Sequence, residues 1–158
     1  MPAMADADSR LEQLGLSLPA AAKPVANYVP VQSVHSGILM FVSGQIPIRD
    51  GALIAQGRVP DEVSVETAVE CARQCVLNGL AAVHAELGSL ARIRGVVRVG
   101  GFVACPPGFG DQPTVINGAS DLLVQLFGDA GKHARAAVGV PALPLNAPVE
   151  IEFTFLMD

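Results

Sequence analysis

The longest periodic pattern in the chain runs from about Val63 to Leu87. Apolar residues recur there at spacings of three and four, which places them on one face of an α-helix: Ala68, Val69, Ala72, Val76, Leu80, Val83 and Leu87. Either Asp61 or Ser64 can cap the N-terminus of this helix, and Gly88 follows its last turn. The pattern predicts a long helix whose apolar stripe faces the core.

Two shorter stretches have helical patterns as well. Residues 6–15 place leucines opposite charged side chains, which is typical of a short amphipathic helix. The stretch from Pro113 to Phe127 directs its aliphatic residues to one side and ends at Gly128. We therefore predict one short helix near the start of the chain and a second core helix in its last third.

Strand-like runs occur at about 38–46, 93–103, 134–140 and 149–157, and one further strand is expected near the start of the domain. Asp50-Gly51 is a turn dipeptide that a short strand can follow. The simplest packing for this order is an α+β domain in which two helices cover one face of a single mixed sheet. The other face of that sheet would then be apolar and bare.

Composition adds an argument for assembly. The chain has 158 residues, enough for one domain, and it is 51% hydrophobic but only 16% charged, whereas charged residues usually reach about 25%. No window approaches 18 uninterrupted apolar residues, so no transmembrane helix is expected. We therefore assign the apolar surplus to a subunit interface and predict a homo-oligomer.

Charge and cysteine usage argue against several functional classes. The net charge is −5 and the lysines and arginines are scattered, whereas a nucleic-acid surface needs clustered positive charge. Cys71, Cys75 and Cys105 lack zinc-site spacing, which fits a reducing cytosol and predicts no metal site. A catalytic role for Cys105 is the less favoured alternative, because no histidine in its sequence context supports one. No export signal is visible, so a cytoplasmic protein is predicted.

One arginine and two glutamates interrupt the last two strand-like runs. An unpaired charge inside a β core costs several kcal/mol, so such a residue normally has a partner or a role. Arg135 offers a planar fork of donors that suits a carboxylate; alternatively, it is a structural arginine paired with Glu150 or Glu152. The two glutamates are two residues apart and share one strand face. There Glu150 could carry protons as the companion of Arg135, or both glutamates could simply be solvated.

The same segments resemble the reactive intermediate deaminase family, known as RidA or YjgF-like and also named endoribonuclease L-PSP-like. The resemblance is strongest at Ala134-Arg135-Ala136-Ala137-Val138, Leu143-Pro144 and Val149-Glu150-Ile151. It is supported by Val42-Ser43-Gly44-Gln45-Ile46-Pro47 and Val115-Ile116-Asn117. It covers roughly Tyr28 to Glu152, and residues 108–113 are similar to a longer branch of the family.

The resemblance implies a chorismate-mutase-like fold of the Bacillus type, assembled as a homotrimer with a cleft at each subunit interface and without cofactor or metal. Residues 1–27 would be an N-terminal extension with a short helix, and residues 28–158 a single domain. No nucleic acid or membrane partner is implied. The partner would be a small imine, enamine or keto acid that carries a carboxylate.

The activity that the resemblance implies is hydrolysis of enamine or imine intermediates, such as 2-aminoacrylate, to a 2-keto acid and ammonia. Arg135 matches the arginine that binds the substrate carboxylate, and Glu150 matches the glutamate that positions the water. Four further positions match residues at the family's cleft: Tyr28, Gly44, Asn117 and Ala137. Ala137 replaces a common cysteine whose contact would be through the backbone, and His133 stands where a small residue or proline is usual.

Two other functions remain as alternatives. The same trimeric scaffold could be a binding module for small carboxylates that performs no turnover. Ribonuclease activity, which has been assigned to some members of the family, is the least favoured because the chain is acidic and lacks a basic patch.

Overall fold

The computed structural model describes residues 6–21, 31–33 and 39–158. Its main feature is a five-stranded mixed sheet with helices on one face. The strand order is β1-β2-β7-β5-β6, and all neighbours are antiparallel except the parallel pair β5 and β6. The strands are β1 (Val31–Ser33), β2 (Leu39–Gln45), β5 (Ile93–Ala104), β6 (Ala134–Val140) and β7 (Val149–Met157). The four strand-like runs in the sequence are confirmed, as is a further strand near the start.

A separate two-stranded hairpin follows β2. Its strands are β3 (Ile48–Arg49) and β4 (Ala52–Leu53). Asp50 and Gly51 join them with positive φ angles of 54° and 82°, the combination that a tight two-residue hairpin turn requires. The turn expected from this dipeptide is therefore present.

The helices are α1 (Ala7–Gln13), α2 (Val65–Leu87) and α3 (Gln112–Phe127), with single 3-10 turns at Gly128–Gly131 and Pro144–Asn146. Ser64 caps α2, because its Oγ accepts a hydrogen bond from the backbone N–H of Thr67 at 3.1 Å. Gly88 ends α2 in the left-handed conformation, with φ of 77°. Of the two candidate caps, Ser64 is therefore the one used. None of the helices in the described ranges has the length and apolarity needed to cross a bilayer.

The short helix α1 packs against α3 and shares the core. Ala7 and Leu11 are buried, and Asp8 Oδ2 accepts hydrogen bonds from Ser89 Oγ at 2.9 Å and from the Leu90 backbone N–H at 3.0 Å. The helix predicted within the N-terminal extension is thus attached to the loop that joins α2 to β5.

The central strand β7 shows why the sheet has two different faces. Its odd-numbered residues are buried beneath α2, with Phe155 also near the ring of Phe127 in α3, and its even-numbered residues are only partly buried on the opposite side. Successive side chains of a strand point to opposite faces, so this alternation separates a helix-covered face from an open face. One mixed sheet with helices on one side, as predicted, is therefore the observed arrangement.

Close packing between α2 and α3 fixes α3 over β5 and β6. Gly118 of α3 lies against the backbone of Val69, and a Cβ at residue 118 would collide with the Val69 carbonyl oxygen. Gly101 of β5 similarly leaves room for Ile116. These two contacts determine which face of α3 is left to meet the edge strand β6.

Candidate active site

Arg135 lies on the edge strand β6 and points toward α3. Its Nη1 donates to Asn117 Oδ1 at 2.8 Å and to Ser120 Oγ at 3.1 Å. Asn117 and Ser120 are three residues apart in α3 and therefore lie on the same side of the helix. The structure thus brings together Arg135 and Asn117, two of the predicted site residues.

The alternative in which Arg135 pairs with Glu150 or Glu152 is wrong. Glu152 is the partner of Arg98, with Oε1 and Nη1 3.1 Å apart on the open face. Within the described residues, both hydrogen bonds of Arg135 use Nη1, so Nε and Nη2 are available to a ligand. A guanidinium held along one edge in this way can present its other edge to a carboxylate.

Ala137 follows Arg135 by two residues and lies on the same side of β6. It pairs with Gly101 across the parallel ladder and packs partly buried against the core. Its small side chain leaves space beside the guanidinium. We name Arg135, Asn117 and Ala137 the arginine half-site.

Glu150 and Gly44 meet on the open face. Gly44 lies where the pairing of β2 with β7 shifts register, between Val42 and Gln45, and a Cβ at residue 44 would collide with Glu150 Oε1. Only glycine lets the carboxyl group approach the backbone this closely. We name Glu150 and Gly44 the glutamate half-site.

Burial raises the pKa of the half-buried Glu150 carboxyl above its ordinary value, and the negative charge of Glu152 on the same face raises it further. A carboxyl group with a raised pKa holds its proton at a higher pH than a surface glutamate does. It is therefore better suited than a surface glutamate to take up and return a proton near neutral pH.

The two half-sites do not meet within one chain. Arg135 pairs with Val99 of β5, and Glu150 pairs with Phe102 of the same strand. Val99 and Phe102 are an odd number of residues apart, so they and their partners face opposite sides of the sheet. The expectation that Glu150 is the companion of Arg135 therefore fails for a single chain. Tyr28, the remaining predicted site residue, lies outside the described residues.

Sequence reasoning missed two polar residues beside Arg135. Ser120 Oγ lies 3.0 Å from His133 Nε2, and His133 Nδ1 lies 2.5 Å from the Gly131 carbonyl oxygen. The position of Ser120, one helical turn after Asn117, was the available signal. In the sequence, His133 stands out only as an unusual residue in the family's signature.

The three cysteines lie in the core. Burial raises the pKa of the Cys71 thiol to about 11 and that of Cys75 well above its ordinary value, so both remain protonated. Cys105 is buried too, and its Sγ accepts a hydrogen bond from Gln112 Nε2 at 3.7 Å. Buried thiols are poor nucleophiles and poor metal ligands. The described residues hold no group of three or more potential metal-ligating side chains of the His, Cys, Asp and Glu types.

The amino-acid sequence matches a known protein family. Residues 8–156 match the family described as "YjgF/chorismate_mutase-like, putative endoribonuclease". The match covers nearly the whole chain and includes both half-sites. The chain therefore belongs to the YjgF family and has its chorismate-mutase-like α+β fold.

Individual relatives match nearly the whole chain as well. Protein TCP17 of Trypanosoma cruzi is 42% identical over 145 residues, which cover 91% of this chain and 89% of that protein. A 2-iminobutanoate/2-iminopropanoate deaminase of Dermatophagoides farinae is 33% identical over 145 residues, covering 90% of this chain and 95% of its own. The crystal structure of an Agrobacterium tumefaciens protein of unknown function has 43% identity and a TM-score of 0.87, with 98% of this chain and 94% of that chain covered.

Proposed function

We propose that the chain is an imine and enamine deaminase for small substrates that carry a carboxylate, of the 2-aminoacrylate type. The enamine tautomerises to the imine, and water then adds to the carbon of the C=N bond. The resulting amino alcohol loses ammonia, which leaves a 2-keto acid. The overall reaction consumes one water and releases one ammonia, and no electrons are exchanged.

The observation that carries this proposal is the way in which Arg135 is held. Asn117 and Ser120 occupy both hydrogens of Nη1, and the free edge of the guanidinium matches a carboxylate in bidentate geometry. The small Ala137 leaves room for the rest of a three- or four-carbon substrate. A 33% identical relative named as a 2-iminobutanoate/2-iminopropanoate deaminase supports the same substrate class.

Glu150 would supply the proton transfer. Its raised pKa suits a group that first accepts a proton from the attacking water and then gives one to the departing ammonia. The backbone around Gly44 is close enough to hold the reacting nitrogen or the water beside this carboxyl group. This role is not served by Glu152, which is engaged by Arg98.

The two half-sites would be joined by assembly. The open face exposes apolar side chains, with Phe41 46% and Val138 44% accessible in the single chain, and such a surface favours burial against another subunit. We propose a homotrimer in which the arginine half-site of one subunit faces the glutamate half-site of its neighbour. We further propose a cytoplasmic location, which the free thiols of the three cysteines support.

A binding module without turnover is the second candidate, and the separation of the half-sites favours it. The arginine half-site could bind a carboxylate without any contribution from Glu150. Ribonuclease activity has less support. The arginines of β5 and of the turn before it are engaged by acidic groups, because Arg92 and Arg94 contact Asp158 and Arg98 contacts Glu152.

A coupled assay tests the proposal. A pyridoxal-phosphate-dependent dehydratase generates 2-aminoacrylate from serine, and the release of keto acid is followed with wild type, Arg135→Ala and the control Arg10→Ala. Arg10 is exposed on α1, so its variant should match wild type. We expect Arg135→Ala to lose about a hundredfold or more in rate enhancement, since it removes a bidentate charged contact that orients the substrate.

Two other results would contradict the proposal in different ways. Equal rates for wild type and Arg135→Ala would exclude the assigned role of Arg135. No acceleration by wild type, together with saturable 2-ketobutyrate binding that Arg135→Ala abolishes, would favour the binding module instead. The mass of each variant in sedimentation equilibrium shows whether the assembly is intact.

A further inference from the structure

The contacts around His133 define a directed chain of hydrogen bonds. The Gly131 carbonyl oxygen, 2.5 Å from His133 Nδ1, can only accept, so Nδ1 carries a proton. In the neutral ring Nε2 is then an acceptor. The hydroxyl of Ser120, 3.0 Å from Nε2, must donate to it, and the lone pairs of Ser120 Oγ are left to face Arg135 Nη1 at 3.1 Å.

A serine inside a helix has a competing partner. Its hydroxyl commonly donates to the carbonyl oxygen four residues earlier, which here belongs to Ile116. The ring of His133 gives the hydroxyl proton a different acceptor on the side of β6. Ser120 Oγ is thereby oriented as an acceptor toward the guanidinium.

Arg135 needs such support because its location on the sheet does little to restrain its side chain. It lies exposed on an edge strand, and an arginine side chain has many accessible rotamers. Asn117 alone would bind one hydrogen of Nη1 and would leave the guanidinium plane free to turn about that bond. The second bond, to Ser120, fixes the plane and so fixes the direction of the free Nε and Nη2 edge.

We propose that His133 and Ser120 are positioning residues for the carboxylate site. His133 acts through Ser120, and Ser120 acts on Arg135; neither touches the substrate. This inference rests on the proposed function of Arg135 and adds a device that sets the orientation of its guanidinium.

Binding and rate measurements test the inference first. The dissociation constant of 2-ketobutyrate is measured by calorimetry, and turnover is measured with enzymatically generated 2-aminoacrylate at saturation. We expect Ser120→Ala and His133→Ala each to weaken binding about 3- to 10-fold, the value of one hydrogen bond, while turnover at saturation changes less than twofold. Ser120→Thr keeps a hydroxyl group and should restore wild-type affinity.

The matched control is His84→Ala, which removes a histidine from the last turn of α2 and should leave both constants unchanged. Unchanged affinity in Ser120→Ala and His133→Ala, with Arg135→Ala impaired, would overturn the inference and leave the deaminase proposal standing. An equal loss of affinity in Ser120→Thr would also overturn it, because the hydroxyl group would then have no specific role.

Nitrogen-15 NMR gives a readout that does not depend on activity. The His133 ring should show the Nδ1–H tautomer, assigned by its loss in His133→Ala. The Arg135 Nη signals should show slow rotation in wild type and faster rotation in Ser120→Ala and His133→Ala. An Nε2–H tautomer, or Arg135 signals that no variant alters, refutes the positioning role. Absence of binding and turnover in wild type counts against the proposed function instead.

Discussion

The two faces of β7 differ in what their residues do, although those residues alternate along one strand. Toward the helices the strand presents Val149, Ile151, Phe153, Phe155 and Met157, all buried. Toward the open side it presents Glu150, Glu152, Thr154 and Leu156, which are partly buried. The first set stabilises the chain by burial of apolar surface, and the second set carries an acid, an ion pair and an apolar contact surface.

This comparison shows how a small domain can combine stability with chemistry. Successive residues of a strand point to opposite faces of the sheet, so the side chains on one face can be substituted without disturbing those on the other. The helix-covered face needs no partner. The open face has Glu150 half-buried and Phe41 exposed, so we infer that its function depends on what covers it.

Phe155→Ala and Phe41→Ala provide the strongest test of this difference. The two residues lie on neighbouring strands and on opposite faces, and Phe155 is 1% exposed while Phe41 is 46% exposed. We expect Phe155→Ala to lower the free energy of unfolding by about 3–5 kcal/mol through loss of burial and formation of a cavity. Phe41→Ala should leave the folded chain intact and shift the assembly toward monomers.

Urea denaturation measures the first effect and sedimentation equilibrium the second. If Phe41→Ala unfolds the chain as readily as Phe155→Ala does, or leaves the assembly mass unchanged, then the proposed division between the faces does not hold.

Glu150→Gln should separate activity from stability. We expect turnover to fall about a hundredfold or more, because glutamine cannot exchange the proton that the reaction requires. The folded pKa of Glu150 is raised, so its protonated form is favoured in the native state. This preference for protonated Glu150 contributes fully to the free energy of unfolding at pH values below the ordinary glutamate pKa. The contribution is lost as the pH rises through the raised pKa that Glu150 has in the folded chain.

Glutamine does not ionise and so avoids that loss. Glu150→Gln should therefore unfold at a higher temperature than wild type at pH 7, and the difference should narrow as the pH falls toward 4. Thermal unfolding at several pH values checks this. A variant less stable than wild type at pH 7 would show that the Glu150 carboxylate is stabilised, not penalised, by its surroundings.

Gly44→Ala should have the smallest effect of the three. The added Cβ would meet Glu150 Oε1, the far end of a flexible side chain, so the carboxyl group can swing away at little cost in stability. We expect a loss of about tenfold in activity, typical of a displaced catalytic group. Gly110→Ala is the matched control, since a Cβ at residue 110 meets open space; an equal loss there would show that the Gly44 effect is unspecific.

Much of the fold could be predicted because its signals are local. The apolar stripe of α2, the cap at Ser64 and the alternation of β7 each follow from residues a few positions apart. Strand order could not be read in this way, because pairing depends on contacts between distant segments. The sequence therefore indicated two helices on one sheet without indicating that β7 lies at its centre.

The site was predicted less completely for the same reason. Arg135 and Glu150 stood out as charges in strand-like runs, but their opposite orientation depends on how both strands pair with β5. Asn117 came from the resemblance, and the structure places its Oδ1 2.8 Å from Arg135 Nη1. Ser120 lies in α3 and His133 in the short link before β6, and no spacing rule predicts that they approach each other.

The central place of β7 has a consequence for synthesis. Its neighbours β2 and β5 are made much earlier, and they have no strand in common until residues 149–157 leave the ribosome. Until then the nascent chain can form α2 and the β5–α3–β6 unit, but it cannot close the sheet. From the synthesis of Gln45 to that of Val149, the edge of β2 that faces β7 in the folded chain therefore lacks its native partner, and from Ala104 to Val149 the same holds for one edge of β5.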